Sequence, residues 1–510
     1  MIDGTSLFKF YAHRRLRALA RQNAGHEQQR QLLSLLAAAA NTRFGRDHGF
    51  ASIKTVADFQ ARVPLRRYEQ MWNEYWKAPF PTLTDCTWPG TIPAFALSSG
   101  TSSGTTKYIP CSDAMMKSNA RAALDVMVHH ARARPQSRVL GGKSFMLGGS
   151  TDLTALAPGI HAGDLSGIAA GRSPIWARSR IFPPRDIALI ADWEKKVDII
   201  ARTILDQDIR SIAGTPSWLL IFFERLFAAH PEREKKLAAF FPRLELVIHG
   251  GVGFAPYRDS FAALLEGSHA ETREVYAASE GFIASADLGP GEGMRVMADN
   301  NLFFEFVPVA ELDSPSPARH WLANIETGVD YAIAVTSCAG LWAYVLGDTV
   351  KCVSRDPARL VVTGRTAYYL SAFGEHLTGD EVEQSVAMAA ATIGALIADF
   401  SFGAVYPDAN SARGSHLLVV EFGGGALGEA DAARFAGLLD SGLQQRNDDY
   451  RAHRAGGFGL DCPRLLMVPR GTFEAWMKAR GKLGGQNKVP RLIADTALFD
   501  SLQEFAKARV

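Results

Sequence analysis

Cysteine is scarce in this chain, with five among 510 residues, at Cys86, Cys111, Cys338, Cys352 and Cys462. Their number is odd, they are scattered, no two form a CxxC pair and none joins histidines at zinc spacing. A disulfide framework and a Cys/His metal site are therefore excluded, and reduced thiols in a cytoplasm are expected. No run of about 18 apolar residues occurs. WLLIFFERLF at 218–227 comes nearest and is broken by Glu224 and Arg225, so no membrane span is expected. The opening MIDGTSLFKFYAHRRLRALARQ is basic but has no apolar segment followed by a small-residue cleavage site; it reads as an amphipathic helix and not a secretory signal. Neither sign of charge prevails, with 55 Lys and Arg against 53 Asp and Glu and a net +2. That balance gives no electrostatic ground for a nucleic-acid or membrane-surface partner and leaves any basic site to a local patch.

What is present is an ordinary globular composition, 47% hydrophobic, 21% charged and 10% aromatic. It suffices for sizeable cores in two or three domains. QRQLLSLLAAAAN ending near Asn41 is helical by propensity, and Ser112 is placed to cap a helix running to about Arg132. TIPAFALSSGTSSGTTKYIP, 91–110, reads as strand, loop, strand. LELVIHGGVGFAPYRDSFAALLEG, from Leu244, is a buried run, a glycine turn and an amphipathic helix, the pattern of an α/β sheet; REVYAASEGFIASAD then reads as a strand breaking into a turn. From 296 to 363 strand-like segments dominate and predict a mostly antiparallel β subdomain. Past Gly364 helices and strands alternate: a helix over 380–395, strands SFGAVYP and SHLLVVEFG, a helix over 428–446, then RLLMVP and TFEAWMKAR. The expected fold is α/β, with a large N-terminal domain over 1–362 and a smaller α+β C-terminal domain over 363–510, the boundary falling between Val362 and Arg365.

Four motifs carry chemistry. SSGTSSGTTKYIP, Ser98 to Pro110, holds two glycines, seven hydroxyl side chains ahead of Lys107, and no acid. Glycines allow close backbone approach, N–H groups and hydroxyls donate to phosphate oxygens, and Lys107 adds a point charge. The spacing departs from a Walker A loop, since Lys107 stands three positions after Gly104. A flexible Ser/Thr/Gly hairpin is the competing reading. In YAASEGF, Tyr276 to Phe282, a strand ends and presents Ser279 and Glu280, a place suited to a Mg²⁺ ligand, although a solvated turn glutamate is the better reading of this motif alone. In YVLGDTV, Tyr344 to Val350, Asp348 follows Gly347 in what reads as a tight turn between strands; it can accept two hydrogen bonds from a ribose diol or be a plain Gly-Asp turn. KARGKLGGQNKVPR, Lys478 to Arg491, has five basic residues, three glycines and no acid. A mobile loop of this kind delivers a lysine to a phosphate, or is merely solvated; as a nucleic-acid patch it lacks interleaved aromatics.

As an ordered set these motifs resemble those of the Gretchen Hagen family of acyl acid amido synthetases, a branch of the adenylate-forming superfamily. The likeness runs from about residue 90 to 491, with Ala277 standing where a glycine is common. It implies a mobile C-terminal domain, ATP and Mg²⁺ as cofactors, and a small carboxylic acid and an amino acid as partners, in a cytoplasmic enzyme. It implies that Ser98, Ser99, Thr101, Ser102 and Lys107 hold the ATP phosphates, that Gly250 and Gly251 with Tyr276 line the adenine, and that Ser279 adjoins the nucleotide. Glu280 would hold Mg²⁺, Asp348 the ribose, Arg365 the hinge, and Lys488 would reach the α-phosphate from the C-terminal domain. GTPSWL, Gly214 to Leu219, is similar to a segment near the acyl pocket of related ligases, with Thr215 as helix cap and Pro216 at the first helical position. His249 and His376 are the candidate bases for the amine, and a structural role is the better reading of each. Transfer of the same adenylate to coenzyme A, or nucleotide binding without catalysis, are the alternatives.

Overall fold

The computed structural model describes residues 3–99, 106–148, 153–172, 179–190, 193–251, 254–366, 369–370, 372–373, 375, 377–406, 414–454, 460–483 and 488–509. The chain divides into two units. One comprises Met1–Gly214, Phe240–Gly251 and His269–Val362, the other Thr215–Ala239, Val252–Ser268 and Thr363–Val510.

The first unit holds helices α1 (Thr5–Ala20), α2 (Ala24–Ala39) and α3 (Asp113–Ala133), with α1 packed on α3, and two sheets. The Asn23 side chain caps α2 by accepting from the His26 N–H, and Ser112 caps α3 by accepting from Met115, as its sequence position predicts. The strands are β1 (Ala94–Ser99), β2 (Thr106–Cys111), β3 (Lys143–Met146), β4 (Thr154–Ala157), β5 (Ile160–Gly163), β6 (Ile181–Phe182), β7 (Ile209–Gly214) and β8 (Leu246–Gly250). They continue as β9 (Glu271–Ala278), β10 (Gly281–Ser285), β11 (Met294–Val296), β12 (Leu302–Pro308), β13 (His320–Trp321), β14 (Asp330–Ser337), β15 (Tyr344–Arg355) and β16 (Ala358–Arg365). Four form a sheet in the order β2-β1-β5-β4, and the other twelve form one in the order β13-β12-β14-β15-β16-β11-β10-β9-β8-β7-β3-β6.

The pairs from β6 to β9 are parallel, and from β9 through β10 and β11 the ladder turns antiparallel. The antiparallel region foreseen over 296–363 is thus one half of a single mixed sheet, continuous with the parallel half across the β9–β10 hairpin. Leu302–Val307 of β12 is buried throughout, and its Glu305 is met there by the Arg319 fork at 2.9 Å through both nitrogens. Trp342 packs on Phe44 and Phe50 while its indole N–H donates to the Thr87 carbonyl at 2.9 Å.

The second unit holds helices α4 (Pro216–Ala229), α5 (Arg258–Leu264), α6 (Gly379–Ile393), α7 (Glu429–Arg446), α8 (Thr472–Ala479) and α9 (Thr496–Lys507). It adds the short pair β17 (Tyr369–Leu370) and β18 (Leu377–Thr378), then β19 (Ile397–Val405), β20 (Ser415–Phe422), β21 (Arg464–Met467) and β22 (Leu492–Ile493) in the order β21-β20-β19-β22. Thr378 and Glu381 form a capping box at the start of α6, and Gly394 in the left-handed region ends it. Pro216 takes the first helical position of α4, where its fixed φ suits the helix entry, but Thr215, the N-cap residue, makes no side-chain capping bond. No described helix is long and apolar enough to cross a membrane.

Between α4, β19, β20 and the start of α8 a cavity of about 40 Å³ gathers Glu224, Asp399, Glu421, Arg470 and Glu474. It has room for a water or two. Arg470 pairs with Glu224, Arg225 with Glu474 at 3.4 Å, and Arg491 with Asp399. Glu421 accepts the N–H groups of Gly471 at 3.1 Å and Phe473 at 2.6 Å, yet burial outweighs these bonds and pushes its carboxyl up to about 7. A raised folded-state value means the folded chain binds this proton more tightly, so stability is lost as pH rises from 4.5 through 7. The loss is on the order of 3 kcal/mol. In thermal melts the second unit should unfold at lower temperature at about pH 8 than at about pH 5, and Glu421→Gln should flatten that dependence. An unchanged pH profile in the variant contradicts the assignment.

Candidate functional site

The hydroxyl-rich segment forms a β-hairpin. Antiparallel register sets Ser98 opposite Lys107 and Ser99 opposite Thr106, so the two strands bring the first serines and the lysine to the same end. Thr101 and Ser102 lie outside the described residues. The Lys107 ammonium is held beside the ring of Tyr68, 5.3 Å from its centroid, and 4.0 Å from the Glu69 carboxylate. Tyr68 is locked in turn: its hydroxyl accepts the Tyr108 N–H at 3.0 Å, and burial pushes it up to about 12, so it stays neutral. Nothing in RRYEQMW marks Tyr68 or Glu69 as neighbours of a lysine 38 or more positions on; tertiary packing alone brings them there.

A second group forms where the parallel strands end. A Cβ on Gly250 would come within 2.3 Å of the Val275 carbonyl oxygen, so glycine is what lets β8 close on β9 here, and Gly251 follows with φ of 89°. The next residue on β9, Tyr276, donates its hydroxyl to Asp348 at 2.7 Å. In a flat sheet β9 and β15, four places apart, would be separated by roughly 19 Å. The bond therefore requires the sheet to coil between them.

Asp348 does not occupy a turn between strands, as the sequence predicts; it lies within β15, which runs unbroken for 12 residues. Ala332 of β14 faces Thr349 and Ala334 faces Val345, which leaves Leu346, Gly347 and Asp348 opposite Ile333 alone. The result is a bulge, made possible by the positive φ of 87° at Gly347. A bulge and a turn ask the same of a Gly-Asp pair, and only the partner strand distinguishes them.

Ser279 and Glu280 are the two residues between β9 and β10, whose ladder resumes with Ala278 opposite Gly281. Both are buried, which removes the solvated-turn reading of Glu280. A Cβ on Gly281 would meet Leu302 at 3.0 Å and Met115 at 3.6 Å. The turn is therefore packed on the first turn of α3, which follows directly from the strand that carries Lys107. A single hard carboxylate suits Mg²⁺, which takes one or two protein oxygens and fills its octahedron with phosphate oxygens and water. Among the described residues no group of three or more His, Cys, Asp or Glu gathers.

The remaining predicted positions are distributed differently. Lys488 belongs to the second unit and is exposed, just ahead of β22. Arg365 is the last residue of β16. His249 is buried and pushed down to about 3 by desolvation, which makes it a poor proton acceptor at neutral pH; His376 lies outside the described residues.

Three family models match the chain: the GH3 family N-terminal domain over residues 14–155, the GH3 family central domain over 295–365 and the GH3 family C-terminal domain over 380–497. Indole-3-acetic acid-amido synthetase GH3.3 of Arabidopsis thaliana is 24% identical over 45% of this chain and 40% of its own length. Probable indole-3-acetic acid-amido synthetase GH3.12 of Oryza sativa subsp. japonica is 22% identical over 93% of this chain and 92% of its own. The match to the former thus spans less than half of that relative. The solved acyl acid amido synthetase AtGH3.15 in complex with 2,4-DB shares the fold, with a TM-score of 0.80 at 18% identity over 97% of this chain and 95% of that one. With matches in chain order that together span well over half of its residues, this chain belongs to the GH3 family.

Proposed function

We propose that the chain is an ATP-dependent acid–amino acid ligase of the cytoplasm, which adenylates a small carboxylic acid and passes the acyl group to an amino acid. The bond from Tyr276 to Asp348 carries the reading, because it joins two motifs 72 residues apart, one assigned to the base and one to the sugar of a nucleoside. Lys107 with the hydroxyls of Ser98, Ser99, Thr101 and Ser102 would then hold the phosphates. Membership of a family whose similar members are named indole-3-acetic acid-amido synthetases and, in one case, a jasmonoyl–L-amino acid synthetase supports the same class of acid and acceptor.

In the first half-reaction a carboxylate oxygen attacks the α-phosphorus, an acyl–O–P bond forms, and the bond to pyrophosphate breaks. Negative charge grows on the phosphoryl oxygens, and Lys107 with the N–H and hydroxyl donors of Ser98 and Ser99 are the groups to offset it. Mg²⁺ held by Glu280 supplies further charge neutralisation when bound. In the second, the acceptor amine attacks the acyl carbon, AMP departs with the bridging oxygen, and the ammonium proton passes to solvent. We place Arg365 at the hinge between domains 1–362 and 363–510 and assign Lys488 to the α-phosphate, with Ser279, Gly250 and Gly251 beside the nucleotide. Domain rotation would change which lysine serves the reaction.

The protein should release pyrophosphate from ATP only when a suitable acid from an aryl, indolyl and fatty-acid panel is present, and turn over with amino acids to give an amide detectable by mass. Turnover with coenzyme A instead would assign a thioester-forming ligase, and ATP binding without release under any acid would contradict catalysis. Lys107→Ala and Asp348→Ala should each abolish release while leaving the chain folded, as judged by circular dichroism. Wild-type rates in either variant overturn the site. Tyr276→Phe removes one hydrogen bond to a carboxylate and should raise KM for ATP by about tenfold, with kcat less affected. An unchanged KM would mean that Tyr276 does not set the ribose acceptor.

A further inference from the structure

Helix α1 has two faces with different tasks. Phe8, Ala12 and Leu19 are buried, with Phe8 and Ala12 packed on Val128 of α3. Arg15 pins the same side through Asp125 at 2.8 Å and Asp299 at 2.8 Å. The inner contact of the helix is complete.

The outer face is unusual. Leu7 is 78% exposed, Phe10 64% and Tyr11 38%. Leu7, Phe10, Arg14, Arg17 and Arg21 follow one another at spacings of three and four, so they line a single stripe, apolar at its first half and cationic at its second. All five are exposed, as are Lys9 and His13 on its flank. The Arg14 guanidinium lies 6.0 Å from the Phe10 ring, joining the two halves. No acid occurs between Gly4 and His26. Among the described residues, Asp3 is committed to Arg138, Glu27 to Arg30, and Asp125 and Asp299 to Arg15, with Arg121 also on Asp299. The balanced charge of the whole chain concealed this local patch.

We propose that this face is a docking surface for an anionic phospholipid bilayer. Leu7, Phe10 and Tyr11 enter the boundary between headgroups and acyl chains while Arg14, Arg17 and Arg21 engage lipid phosphates, as interfacial helices do. Charge complementarity selects the occupant: an arginine row without acids repels a basic surface. The exposed aliphatic and aromatic tip selects a bilayer over a nucleic-acid backbone, which gives Leu7 nothing to bury in. The surface belongs to the first unit alone and is independent of the proposed chemistry.

The test is co-sedimentation of the full chain with vesicles of phosphatidylcholine and phosphatidylglycerol in equal parts, against vesicles of phosphatidylcholine alone. Wild type should sediment with the anionic vesicles only, and less so as salt rises. Leu7→Ser with Phe10→Ser, and separately Arg14→Glu with Arg17→Glu, should each weaken partitioning at least about tenfold, with circular dichroism and pyrophosphate release in solution unchanged. No sedimentation with anionic vesicles overturns the proposal, as does sedimentation of both variants equal to that of wild type. It is equally overturned if the arginine variant loses affinity for nucleic acid while wild type ignores vesicles, or if ultracentrifugation finds a dimer that the Leu7/Phe10 variant dissolves.

Discussion

The hydrogen bond from the Tyr276 hydroxyl to the Asp348 carboxylate is possible only because a twelve-stranded sheet coils on itself. Its two residues stand on strands of different character. One ends the parallel half, where a strand terminates beside the glycine pair at 250 and 251; the other sits on a bulge in the antiparallel half. The bond draws together a tyrosine placed by parallel pairing and an acid placed by a register shift. The buried Ser279–Glu280 turn adjoins the same strand end, and its packing against the start of α3 ties it to the hairpin that carries Lys107.

How far the sequence reveals this depends on how local each determinant is. The hairpin around residues 98–107, the Ser112 cap and the glycine-bounded helix over Gly379–Ile393 were legible because each is decided within a few residues by turn chemistry, capping and apolar periodicity. The place of Asp348 was not, because its partner register is set by β14, and Gly-Asp satisfies a turn and a bulge alike. Burial of Glu280 was hidden for a similar reason: Leu302 and Met115, against which the adjoining Gly281 lies, are distant in the chain. The aromatic support of Lys107 by Tyr68 joins segments about 40 residues apart, beyond any local pattern.

The same contrast between local and tertiary information governs charge. A net of +2 describes the chain as a whole, yet the second unit buries a carboxylate pushed to about 7 among other acids, and α1 displays arginines with no acid near them in sequence. Each arises where packing sorts residues that composition averages. In the second unit desolvation of Glu421 wins over two backbone donors; on α1 one arginine, Arg15, is spent on internal ion pairs and the others face outward.

In the proposed chemistry a carboxylate oxygen attacks the α-phosphorus of ATP. Tracing a carboxylic acid labelled with heavy oxygen tests it most directly: once the acyl group has passed to the amine, one labelled oxygen should appear in the phosphate of AMP, with pyrophosphate unlabelled. Label in inorganic phosphate accompanied by ADP, or AMP free of label, would contradict the account.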